Sequence, residues 1–152
     1  MPMSPVPNPH QPLAPYLIVK DAAKAIAFYV QAFGAVEKFR LCEPSGKIGH
    51  AEIDVAGGLI LLADEYPDFG ALSPPSIGGT PVSIHLYVSD VDAVVARATA
   101  AGATVLRPLK DEFFGDRVAM IADPFGHKWH LATNKEHVTP AEMQRRMDAM
   151  YA

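Results

Sequence analysis

The sequence predicts an α+β fold in which two β-α-β-β-β modules stand in tandem and a helix closes the chain. A repeat carries most of that reading. Leu17-Ile18-Val19-Lys20-Asp21 leads into Ala22 to Phe33 and then Gly34-Ala35. Leu86-Tyr87-Val88-Ser89-Asp90 leads into Val91 to Ala101 and then Gly102-Ala103. The copies are offset by 69 residues at the Asp (21 to 90) and by 68 at the Gly (34 to 102). Past each Gly the pattern turns to short strands, which is the second observation. The third is length: 152 residues make one domain or two small modules, and half a repeat is too small to bury its own core well.

Residues 1–13 form a proline-rich arm, since Pro2, Pro5, Pro7, Pro9 and Pro12 exclude both helix and central strand. It is expected to be mobile or draped over the rest. The first module spans 14–64. Its opening strand ends in Asp21, which caps a helix from Ala22 to Phe33 that stops at Gly34, suited to a left-handed C-cap. Strands follow at Val36 to Glu43, Gly49 to Val55 and Leu59 to Ala63, with a turn at Ala56-Gly57-Gly58. A connector, 65–81, reads as a stretch without elements of its own, long enough to cover a pocket. The second module, 82–134, repeats the order with Asp90 as cap and Gly102 as stop. Its strands are Thr104 to Pro108, Arg117 to Ala122 and Lys128 to Thr133, the last hairpin turning at Asp123-Pro124-Phe125-Gly126. Residues 135–152 carry a helix start. Thr139 is the N-cap, Pro140 takes the first helical position, Glu142 closes a capping box, and Val138 with Met143 forms a hydrophobic staple. Met143, Met147, Met150 and Tyr151 then make an apolar stripe for this domain or for a partner subunit.

Composition narrows the function. The net charge is -4 and no basic run is longer than Arg145-Arg146, so nucleic acid is not expected as a partner. The longest uncharged stretch, Phe69 to Ser89, is rich in Gly, Pro and Ser and cannot span a bilayer. No cationic start with an apolar run opens the chain, and the single Cys42 excludes an internal disulfide and a thiolate zinc cage. The expectation is a cytoplasmic protein, with no membrane partner, that binds or acts on something small.

Strand alternation identifies the candidate pocket lining. Val82, Ile84, Leu86 and Val88 share the face that meets a helix, which turns Ser83, His85 and Tyr87 inward. By the same reasoning Ala51, Ile53 and Val55 pack, and His50, Glu52 and Asp54 point inward. Leu17 and Val19 pack while Tyr16 and Ile18 face in; Trp129 and Leu131 pack while His130 faces in. Both faces of Leu59 to Ala63 are apolar, so periodicity does not assign Leu61 a side.

Two segments resemble the vicinal-oxygen-chelate superfamily, also called the glyoxalase/bleomycin-resistance/dioxygenase family. They are Asp21-Ala22-Ala23-Lys24-Ala25-Ile26-Ala27-Phe28-Tyr29 with Phe33-Gly34-Ala35, and Gly115-Asp116-Arg117 with Asp123-Pro124-Phe125-Gly126-His127-Lys128-Trp129. The resemblance implies two paired modules, often in a dimer, whose curled sheets enclose a pocket. It also implies, for metal-dependent members, one ligand on each of the first, fourth, fifth and eighth strands. Carried onto this sequence, those positions are Ala14, Leu61, Ser83 and His130. Only His130 is a strong divalent-metal ligand, so the usual metal site is expected to be absent and no cofactor is expected. A rearranged site remains the route to a divalent metal: His85 and His130, with His50 or Glu52 as a third arm.

Other candidates have plain alternatives. Glu52 is either an inward carboxylate or an edge residue paired with Arg117. Arg117 either reaches an anionic ligand group or holds a structural ion pair beside Asp116. Phe113 and Phe114, with Phe39 and Tyr87, either line a cavity mouth or fill a core. His127 belongs to its turn, and His10 and His137 lie in terminal segments without a signal. Two functions follow. One is a homodimeric, metal-free binding protein for a small aromatic or amphipathic molecule. The other is a lyase, isomerase or dioxygenase working through His85 and His130, by a rearranged metal site or by imidazole acid-base chemistry.

Overall fold

The structure, a computed structural model, describes residues 3–7 and 10–152. They fall into two compact units, the first running to Gly79 and the second starting at Thr80. The first contains β1 (Tyr16–Val19), α1 (Ala22–Phe33), β2 (Val36–Cys42), β3 (Ile48–Val55) and β4 (Gly58–Asp64). The second contains β5 (Ser83–Tyr87), α3 (Val91–Ala100), β6 (Thr104–Asp111), β7 (Asp116–Ala122), β8 (Lys128–Asn134) and α4 (Pro140–Met150). Each unit has one four-stranded sheet, in the orders β1-β4-β3-β2 and β5-β8-β7-β6. In both sheets the first and last strands pair in parallel and the other pairs are antiparallel.

The repeat is executed with the same devices. Asp21 accepts a hydrogen bond from Lys24 N at 3.1 Å, and Asp90 accepts one from Ala93 N at 3.1 Å. Each satisfies one of the orphan donors of a helix N-terminus. The first backbone N–H of each helix is also tied to the last strand of its own module. Ala22 N donates to Asp64 Oδ1 at 2.7 Å, and Val91 N donates to Thr133 Oγ1 at 2.9 Å. Asp64 also accepts from Ile48 N, while the Thr133 hydroxyl donates to Val88 O. Each helix thus covers one face of its own sheet. Val19, Ala25, Tyr29, Ile53 and Leu62 are fully buried in the first unit, as are Ala98, Ile121, Trp129 and Leu131 in the second. Burying each large apolar side chain of this kind contributes about 1.5–3 kcal/mol.

The Asp123 turn and Gly115 explain two of the sequence signatures. Asp123 accepts from Phe125 N and His127 N with one oxygen and from the buried Trp129 Nε1 with the other, at 3.0 Å. Gly115 has φ +99, and a Cβ there would lie 2.3 Å from Glu136 O, so the backbone passes too close for any side chain.

Several expectations need correction. The connector is not without elements: it holds a 3-10 turn (Pro67–Phe69) and a short helix, α2 (Pro74–Ile77). Glu65 organises it by accepting from Ser73 N and from the hydroxyls of Ser73 and Ser76, which holds its carboxyl down at about 2. Gly34 is a left-handed cap, but α3 is capped by Ala101 in right-handed conformation, with Gly102 following at φ +117. β6 continues past Pro108 to Asp111, as an edge strand allows. Thr139 caps α4 as expected, accepting from Glu142 N, but Glu142 does not close the box; its carboxylate is held by Arg145 and Arg146. No residue of α4 is buried, so its methionine stripe does not pack into the second unit's core. Pro2 and Pro9 of the arm lie outside the described residues. Its end is draped: the Gln11 carboxamide accepts from Leu59 N at 3.1 Å and donates to Leu59 O at 3.4 Å. No helix among the described residues is long and apolar enough to cross a membrane.

Candidate functional site

Paired residues on neighbouring strands point to the same side of a sheet, so the register defines a row across each sheet. In the first unit the row is Tyr16, Leu61, Glu52 and Phe39. In the second it is His85, His130, Met120 and Arg107. Both rows lie on the face away from the covering helix, because their strand neighbours Leu17, Leu62, Ala51, Leu86, Leu131 and Ala119 are the buried ones. Leu61 is half-buried in the middle of its row, which gives it the side that periodicity left open.

In the second unit the His85 and His130 rings are nearly parallel, 6° apart in plane, with centroids separated by 6.2 Å. Tyr87 packs on His85 with ring centroids 4.6 Å apart, and its hydroxyl donates to Asp116 Oδ2 at 2.6 Å. That bond keeps the phenol protonated and raises its pKa. Burial, then the neighbouring His85 and Arg107 charges, hold the His130 imidazole below its ordinary value. His130 is therefore biased toward the neutral ring, which both donates and accepts. It lines a cavity of about 680 Å³ with Arg107, Leu109, Phe114, Val118 and Met120. Among the described residues Arg107 has no carboxylate partner. A cation and an imidazole on either side of Met120, in a lining shared with Leu109, Phe114 and Val118, can hold an anionic group attached to an apolar body.

Other named residues are placed differently. Phe113 meets Phe114 edge to face at 5.3 Å, but its carbonyl accepts from Arg146, and only Phe114 lines the cavity. Arg117 is held by Asp92 at 2.8 Å and by Asp111 at 3.4 Å, not by Asp116 or Glu52. It stitches the start of α3 to the β6–β7 hairpin. Asp116 instead accepts from Tyr87 and from Asn134 Nδ2. Ser83 is exposed opposite Lys128, while His85 faces His130 directly. Cys42 is exposed.

In the first unit Tyr16, His50 and Glu52 are joined. Tyr16 Oη lies 2.8 Å from His50 Nδ1, and His50 Nε2 lies 3.0 Å from Glu52 Oε2. The Phe39 ring stands 5.8 Å from the imidazole. His10 Nε2 comes within 3.8 Å of the same Glu52 oxygen while its Nδ1 donates to Gln11 O.

Of the four positions that the resemblance implies for a chelate, one is a histidine. Ala14 and Leu61 carry no donor, and Ser83 pairs away from His130. Among the described residues no three His, Cys, Asp or Glu side chains form a group able to hold a metal ion. Arg107, Met120 and His10 escaped the sequence reading. Arg107 and Met120 had a usable signal: they stand 68 positions after Phe39 and Glu52, the offset of the repeat.

Comparison with known proteins agrees with this architecture. The family model described as the Glyoxalase/Bleomycin resistance protein/Dioxygenase superfamily matches residues 11–131. An uncharacterised protein of Mycobacterium tuberculosis is 46% identical over 145 residues, covering 93% of this chain and 85% of that one. Among solved structures, TioX from Micromonospora sp. ML1 superposes with a TM-score of 0.62 at 29% identity, over 85% of this chain and 100% of its own. An Arabidopsis thaliana gene product gives a TM-score of 0.66 at 27% identity, over 80% and 98%.

Proposed function

This chain belongs to the glyoxalase/bleomycin resistance protein/dioxygenase superfamily, and from that premise we propose that it binds a small amphipathic molecule without the usual metal site. The ligand has a flat apolar body and an anionic end. The observation that carries this is the second unit's cavity, whose lining sets Arg107, without a carboxylate partner among the described residues, and His130 on either side of Met120, together with Phe114, Val118, Lys110 and Glu112. Leu109, Phe114, Val118 and Met120 supply apolar contact, and Arg107 with His130 recognises the charged end. The reading includes a cytoplasmic homodimer, supported by the apolar Val36, Phe39 and Leu41 exposed along edge strand β2. Light scattering checks the mass in solution.

A second reading has one specific support, the close parallel rings of His85 and His130. A neutral His130 is poised to accept a proton, which would make the protein an acid-base enzyme. Metal analysis of untagged protein, before and after incubation with zinc, nickel, manganese and iron(II), tests the premise common to both. Stoichiometric metal lost in His130→Ala overturns the metal-free reading. Without bound metal, thermal-shift screening of flat aromatic acids should find stabilising ligands.

A further inference from the structure

We propose that Tyr16, His50 and Glu52 form a proton relay on the first unit's open sheet face, with Tyr16 as an activated phenol for a small molecule carrying an acidic proton. Its three residues all belong to the first unit. The tautomer follows from the partners. A carboxylate only accepts, so the 3.0 Å contact makes His50 Nε2 the donor to Glu52. Nδ1 then carries the lone pair, and the Tyr16 hydroxyl at 2.8 Å donates into it. This is the order of a catalytic triad: a hydroxyl, a base within hydrogen-bond reach, and a carboxylate that fixes the base's tautomer and faces the imidazolium that forms.

The arrangement is held by the sheet, not by loops. His50 and Glu52 sit two residues apart on β3 and share a face, and Leu61 of β4 separates Glu52 from Tyr16 in the row. Phe39 flanks the imidazole. Burial and the Glu52 charge raise the Tyr16 phenol, so it does not ionise on its own near neutral pH. Its proton leaves only as the oxygen gains another bond. When a bound acid gives its proton to Tyr16 Oη, the original phenol proton passes to His50 Nδ1, and the imidazolium is balanced by Glu52. Among the described residues His10, 3.8 Å from the same carboxylate, also faces it.

Benzenesulfonyl fluoride tests this without knowledge of the natural ligand. The phenol oxygen bonds to sulfur, fluoride leaves, and the phenol proton goes to His50. Labelling is read by peptide mass spectrometry, with Tyr87 and Tyr151 as internal standards. Both are more exposed than Tyr16, at 56% and 83% against 47%. The relay predicts that Tyr16 reacts fastest, that His50→Gln lowers its rate about tenfold or more, and that Glu52→Gln lowers it less. Nitrogen NMR should show His50 protonated at Nε2, and Tyr16→Phe should leave that tautomer in place. Tyr16 labelling no faster than Tyr151, or unchanged in a folded His50→Gln variant, overturns the proposal, as does a His50 protonated at Nδ1.

Discussion

The two sheets share a frame and differ on one face. Position for position, Tyr16, Leu61, Glu52 and Phe39 of the first correspond to His85, His130, Met120 and Arg107 of the second. The first row is acidic and partnered: its carboxylate is bonded to His50. The second carries a cation and two imidazoles, and its cation has no carboxylate partner among the described residues. Behind both rows the scaffold is nearly the same, down to an Asp cap and a tie from the last strand to the helix start. The side chains diverge where they leave the core, and the repeat persists where they fill it.

The largest effects should come from breaking the shared frame. Asp64→Ala leaves Ala22 N and Ile48 N without their partner and is expected to cost about 2–4 kcal/mol in urea unfolding. Thr133→Val strips the equivalent tie from Val91 N and should cost about 1–2 kcal/mol. A neutral result at either position would mean that the frames are not equivalent. On the diverged face, Arg107→Ala should weaken binding of an aromatic carboxylate about tenfold, or about 1.4 kcal/mol, with folding stability unchanged. The matching Phe39→Ala should leave that affinity unaltered. Asp21→Ala and Asp90→Ala remove like caps and should each cost about 1 kcal/mol, agreeing within error.

The smallest effect is in pH dependence. His130 sits below its ordinary value of 6.5 when folded, through burial and then the His85 and Arg107 charges. The unfolded chain therefore takes up the proton first. Its contribution is complete above about pH 6.5 and falls away as the pH drops through that value toward the lower folded one. His130→Gln should flatten this part of the stability curve. An unchanged slope would show that His130 is not desolvated.

Local signals made the frame legible. α1 runs from Ala22 to Phe33 because Asp21 and Gly34 mark both ends, and the Asp123 turn was readable from its own residues. Alternation indicated His50, Glu52, His85 and His130 as neighbours on open faces, but it carries no register. Only pairing brings His85, not Ser83, opposite His130, and assigns Leu61 its side. Arg107 lies on β6, whose pattern is interrupted by Pro108 and by shifts in pairing, so alternation does not assign it a face. His10 follows prolines, where no periodicity exists to reveal that the arm folds back toward Glu52. Met147, Met150 and Tyr151 formed a clear stripe, yet amphipathicity does not say what a helix packs against.

Calorimetric titration of chelator-treated protein with 2-naphthoate, in the wild type and in Arg107→Ala, tests the central claim most directly. Saturable binding without added metal, about tenfold weaker in the variant, is the predicted result. Binding that appears only with a divalent cation, or that is identical in the two proteins, would contradict a metal-independent site built on the second unit's row.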